Sequence, residues 1–147
     1  MEWEKLFRRY VWNDRTTPYL TPSAKLNREQ ANSEILFYCL FHAVLFGVIT
    51  IAALGGSDAR SMVVAYYSFS VVCAAVLFVM LKSYPAALYL SATPLIAIAY
   101  VVIFRFGSGA GSIDTIFVLC VLALLLRYSF RILAVARNYA DLPPAEE

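Results

Sequence analysis

Charge is what this sequence has least of. Asp, Glu, Lys and Arg make up 15% of its 147 residues, against about 25% in an ordinary soluble domain. The hydrophobic fraction is 61%, where roughly 45–50% is usual. The mean hydropathy is +0.69. A soluble domain of this size would lack the polar surface to cover itself. These deficits weigh against a soluble enzyme, a nucleic-acid-binding domain and a disordered chain. They leave an integral membrane protein.

Chemical motifs are equally scarce. Cys39, Cys73 and Cys120 stand singly on separate apolar stretches. With no C-x-x-C, a membrane dithiol oxidoreductase is not indicated. No Asp or Glu sits in the middle of an apolar stretch, which weakens a small proton-coupled exporter. There is no Walker motif, zinc-ligand pair or G-x-S-x-G. No catalytic residue, metal site or cofactor is therefore expected. Asn13 precedes Asp14-Arg15 and is not a glycosylation sequon. The opening MEWEKLFRRY has neither the apolar core nor the small-residue cleavage site of a signal peptide.

What is abundant is long apolar runs. A membrane-crossing helix needs about 20 mostly apolar residues. Four stretches qualify, at about 35–54, 62–81, 86–104 and 113–136. The last carries Arg127 and Arg131 near its end. Lipid forbids unpaired backbone groups, so these runs predict helices. Barrel strands would be about 10 residues of alternating polarity. Turn formers separate the runs: Gly55-Gly56-Ser57-Asp58, Lys82-Ser83-Tyr84-Pro85 and the glycine-rich stretch 107–112.

Orientation follows Lys and Arg in short flanks. One side holds Lys5, Arg8, Arg9, Arg15, Lys25, Arg28, Lys82, Arg127, Arg131 and Arg137, and the other only Arg60 and Arg105. Ten against two predicts both termini on the cytoplasmic side. The basic residues need no nucleic acid to explain them.

The first 33 residues are the least membrane-like. Trp3, Leu6, Phe7, Tyr10 and Val11 share one helical face, with Arg8 and Arg9 elsewhere. This suits a short amphipathic helix in the headgroup plane or docked on protein. Trp3, Phe7, Arg8 and Arg9 are its expected lipid or partner contacts. An extended loop with Pro18 and Pro22 follows. Thr21 before Pro22 is one candidate helix cap. Asn27, with Gln30 three residues on, is a second, starting a helix that runs into the first span.

Ionisable groups within the spans are functional candidates by default. His42 is the sole histidine. It is either a neutral ring bonded to a hydroxyl on a neighbouring helix, or a cofactor, metal or proton-relay ligand. One His cannot supply both axial ligands of a haem within one chain. Arg127 and Arg131 are expected either as snorkelling anchors or as a contact for anionic head groups or an acidic partner. Glu34 could pair with either. Asp114 suits a helix N-terminus or an ion pair with Arg105. Pro94 removes a helix hydrogen bond in the third span, and Ser91 and Thr93 are placed to re-satisfy freed carbonyls. Small residues mark helix contacts: Ala43 and Gly47 in span one, Ser70, Cys73, Ala74 and Ala75 in span two, Ala87, Ser91 and Ala92 in span three.

The expected fold is all-α, a four-helix transmembrane bundle over 34–137 with a cytoplasmic segment 1–33 and a tail 138–147. The expected function is a non-catalytic accessory subunit of a larger complex in a bacterial inner membrane. Its partners would be other membrane subunits and lipids, and homo-oligomers fit too. A homo-oligomeric channel or transporter and a cofactor-binding electron-transfer subunit are the alternatives.

Overall fold

A computed structural model of the chain describes residues 23–103 and 113–144. The expected amphipathic helix with Trp3, Phe7, Arg8 and Arg9 lies outside the described residues. So do the Thr21-Pro22 cap, the glycine-rich stretch 107–112, Arg105 and the side chain of Asp114. Four long helices are present: α1 (Arg28–Leu54), α2 (Ala59–Leu81), α3 (Tyr84–Val101) and α4 (Ile113–Asn138). Short 3-10 turns, Ser23–Lys25 and Tyr139–Asp141, flank them, and no strand occurs among the described residues. All four helices are long and apolar enough to cross a membrane.

The cap at Asn27 forms as its sequence predicts. Gln30 N–H donates to Asn27 Oδ1 at 2.8 Å, and Asn27 N–H donates to Gln30 Oε1 at 3.1 Å. This reciprocal box satisfies two otherwise unpaired donors. The helix then runs without a break from a polar first turn into the apolar stretch.

α2 ends on Lys82, whose φ of 50° is left-handed. Its N–H closes the helix on the Phe78 carbonyl at 2.9 Å. A side chain in this conformation costs roughly 1–2 kcal/mol relative to its right-handed one, and glycine escapes that cost. Lys82→Gly is therefore expected to stabilise the fold by about 1 kcal/mol, read from the midpoint of an SDS titration of the folded protein in detergent. Ser83 precedes α3, and Pro85 sits in its first turn, where its missing N–H costs nothing. Tyr84 and Pro85 thus belong to α3, and the connection is shorter than the sequence suggests.

Pro94 lies buried inside α3. It cannot bond the carbonyl four residues back, that of Leu90. Thr93 Oγ1 donates to that carbonyl at 2.8 Å. Ser91 instead reaches across to the Ser129 carbonyl of α4 at 3.3 Å.

The closest helix pairs are α1 with α2 and α3 with α4, and α2 joins the two hairpins through α3. The start of α1 meets the end of α4. Arg28 N–H donates to the Pro143 carbonyl and its guanidinium to the Ala140 carbonyl, both at 3.0 Å. Lys82 and Ser83 lie at this same end, because the helices alternate in direction.

The large buried side chains cluster in this half of the bundle, while smaller residues such as Ala65 and Thr115 are buried in the other. Ile35, Tyr38 and Cys39 of α1 meet Val71, Ala75 and Phe78 of α2, Ala87 and Leu90 of α3, and Ile132 and Val135 of α4. The distant half leaves Val48, Ile51 and Leu54 of α1, Met62 and Val63 of α2, and Ile113 and Phe117 of α4 exposed. Among the small residues, Ala75, Ala87 and Ser91 are buried and Ala43 packs beside the core. Gly47 is different: a methyl added there would meet nothing within 4 Å.

Candidate functional site

The polar side chains of the buried half gather where α1 faces α4. Helical rise puts Glu34 and Tyr38 one turn apart on α1, each four-residue step turning the face by about 40°. Both reach α4. Arg131 Nε donates to Glu34 Oε2 at 3.0 Å, and Nη2 donates to Oε1 at 2.6 Å. The two parallel bonds make a bidentate pair, the strong geometry for a guanidinium and a carboxylate. Glu34 is 1% exposed and Arg131 20%. Of the two partners the sequence offered Glu34, the structure selects Arg131.

One turn along, Tyr38 Oη and Ser129 Oγ are 2.7 Å apart. Ser129 Oγ donates to its own helix, to the Leu125 carbonyl at 2.8 Å. Its proton is therefore committed, and Tyr38 is the donor between them. The same device ties α2 to α3. Ser70 Oγ donates to the Tyr67 carbonyl at 2.7 Å, so Tyr89 donates to Ser70 Oγ across 2.6 Å. Toward the chain ends, Tyr139 Oη donates to Asn32 Oδ1 at 2.7 Å. Ser129, Asn32, Tyr139 and Tyr89 were not singled out as bonding partners from sequence. A lone Ser in an apolar helix is the signal that marks Ser129.

His42 follows Tyr38 by one more turn and is fully buried. Its Nδ1 lies 2.9 Å from the Tyr38 carbonyl. A carbonyl only accepts, so Nδ1 carries the proton and Nε2 presents a lone pair. Nε2 has no partner among the described residues, and neither do Tyr67 Oη or Ser68 Oγ. The ring lies 4.2 Å from that of Tyr38 and stacks on Phe46 at 6.1 Å, with Phe41 edge-on at 5.8 Å. The hydroxyl partner on another helix, expected from sequence, is replaced by a carbonyl of α1 itself. Exchanging a buried unpaired polar atom for carbon of similar shape is close to neutral. His42→Phe makes that exchange at Nε2 but gives up the Nδ1 bond to the Tyr38 carbonyl, so it is expected to cost about 1 kcal/mol, the net worth of one hydrogen bond. A larger loss in the same SDS titration, with a visible absorption band lost from the purified protein, would instead make His42 a cofactor ligand.

A groove of about 290 Å³ opens between α1 and α4 beside the seam. Phe37, Tyr38, Phe41, Leu125 and Tyr128 line it, and His42 does not. Arg127 lies between the last two along α4 and is exposed, with no hydrogen bond or ion pair among the described residues. The two arginines grouped by sequence thus part company. Arg137 is also exposed, in the last turn of α4, where a cation suits the helix dipole. At the inter-helix turn, partial burial holds the Lys82 ammonium below its usual range, opposed by Cys39. No cluster of three or more His, Cys, Asp or Glu side chains occurs among the described residues.

No known protein family matches this chain, and no curated protein or solved structure matches it.

Proposed function

We propose that this protein is a non-catalytic subunit of a larger membrane assembly. It crosses a bacterial inner membrane four times, with both termini and the Lys82 turn in the cytoplasm. Its segment before the first span is then available to cytoplasmic partners. The observation that carries this reading is the uneven packing. The cytoplasmic-end half has a shared core and a polar seam whose charges pair with each other. The other half buries mainly small residues such as Ala65 and Thr115, and like the first it exposes long apolar residues. Helix association in lipid needs close van der Waals contact, and a neighbouring subunit would supply to this half what the bundle itself does not. The ten-to-two split of Lys and Arg supports the orientation.

The test is photo-crosslinking in native membranes from Ile51 and Phe117, followed by extraction in mild detergent and native electrophoresis. A discrete species larger than the chain, crosslinked through these two positions to one protein, is the expected result. A lone monomer crosslinked only to lipid overturns it. If the partner is a second copy of this chain, the homo-oligomeric channel becomes the better reading, to be checked by flux in liposomes.

A further inference from the structure

We propose that the outward face of α4 docks a membrane helix of a different protein, one that carries an Asp or Glu opposite Arg127. The proposal rests on the subunit reading above and names the face and the chemistry of the contact.

Arg127 points away from its own bundle. Two residues along a helix turn by about 200°, so Arg127 is rotated about 160° from Ser129, the buried residue that meets Tyr38. Arg127 is exposed and has no hydrogen bond or ion pair among the described residues. Arg131 has taken both oxygens of Glu34. Ionisable side chains within membrane spans almost always face a protein interior and pair with another charge. Arg127 does neither among the described residues. A second helix laid on α4, with an acid of its own, would provide both.

The rest of this face is shaped to receive a helix. Ile113, Phe117, Cys120, Leu124 and Arg127 follow one another at steps of four, three, four and three residues. That is the spacing of a coiled-coil seam, and it keeps all of them within about 80° of arc. All are exposed, Phe117 and Leu124 at 68% each. Cys120 and Ala123, two turns and one turn before Arg127, are small and exposed. Small residues let a second backbone come close. A single polar residue in such a seam fixes its register, and here that residue is a cation.

The charge chooses among the occupants. A second copy lies parallel in the same membrane, so a symmetric contact through this face sets Arg127 against Arg127. Two acids of the copy lie on or beside α4, and neither relieves the repulsion. Glu34 is held by Arg131 in each copy, and Asp114 is about 20 Å along the helix. A lipid phosphate answers the charge but makes no use of the seam spacing. A different helix with a carboxylate at the level of Arg127 uses both.

The experiment places a photo-crosslinking amino acid at Leu124 of the full chain in native membranes. Native electrophoresis after mild extraction separates assembled from free chain, and mass spectrometry identifies the crosslinked segment. The expected result is one other protein, joined through a membrane helix with an Asp or Glu within a turn of the crosslink. Arg127→Gln is expected to lower the ratio of assembled to free chain by about thirtyfold, the low end for stranding one side of an interfacial charge pair. Arg127→Glu, combined with Arg in place of the partner's acid, is expected to restore assembly. Arg137→Gln leaves it unchanged. Crosslinks from Leu124 to lipid alone, or to a second copy, overturn the proposal. So does a partner helix without an acid, or an assembly indifferent to Arg127→Gln. Resistance to alkaline carbonate and far-ultraviolet circular dichroism confirm that each variant is inserted and folded. If Arg127→Gln is not, the identity of the Leu124 crosslink decides alone. When Ile51 captures a partner and Leu124 does not, this face fails and the subunit reading stands. When neither captures a protein, the subunit reading fails as well.

Discussion

Arg131→Leu is expected to destabilise the bundle by about 3 kcal/mol, the lower end of what stranding one partner of a buried ion pair costs. The lower end applies because the pair lies less than two turns from the start of α1. Glu34→Leu is expected to cost clearly less. The asymmetry follows from exposure: the carboxylate is 1% exposed and the guanidinium 20%. Removing Arg131 leaves a sealed carboxylate with no donor. Removing Glu34 leaves a long side chain that can swing toward the interface. The double variant Glu34→Leu/Arg131→Leu is expected to recover most of the loss, since a buried pair and an apolar pair of similar volume are often near equal in stability. A double-mutant cycle from SDS titrations measures all three. Equal losses in the two single variants that simply add in the double would show that the bidentate contact does not hold the seam.

Tyr38→Ala is expected to cost a further roughly 3 kcal/mol in a separate variant, within the range for losing a large buried side chain. Tyr38 is among the largest fully buried side chains and touches both seam and core. Its ring lies against those of His42 and Tyr128 at 4.2 and 5.9 Å. Truncation would join the space it vacates to the groove beside it, and α1 and α4 have few close backbone contacts with which to collapse. Tyr38→Phe is expected to cost only about 0.6 kcal/mol, the average for an interhelical hydrogen bond in a membrane protein. The small value has a local reason. Ser129 keeps its own bond to the Leu125 carbonyl when Tyr38 loses its hydroxyl. If Phe and Ala cost the same, the hydroxyl rather than the ring holds the helices together. The ordering of the two variants is read from the same titration.

Several local features were legible in the residues. Asn27 and Gln30 carry a capping box in their spacing, and it forms. Thr93 was placed to serve a carbonyl freed by Pro94, and it bonds the Leu90 carbonyl that Pro94 leaves open. Both involve partners within four residues, where helical geometry alone sets the distance. Gly47 shows the limit of such patterns. The Ala43–Gly47 spacing suggests close packing, but only Ala43 lies beside the core, and Gly47 faces open space. A small-residue pair says that a helix could approach, not that one does. His42 shows the same limit. Its Nδ1 bonds the Tyr38 carbonyl four residues back, but only the packing decides that no neighbouring helix brings a hydroxyl to Nε2 among the described residues.

Four helices of membrane-crossing length, and the gathering of Lys and Arg into alternate flanks, follow from the sequence by itself. Length, apolarity and charge are summed along the chain and need no knowledge of how the helices pack. The pairing of Glu34 with Arg131, the release of Arg127 and the placement of the large buried side chains in one half were decided only by tertiary structure. The bonding partners are 91 to 107 residues apart. A helix that is apolar on nearly every side carries little signal of which face turns inward. Its rotation is set by the helices it meets, and with that rotation goes the choice of which arginine finds the acid and which stays exposed.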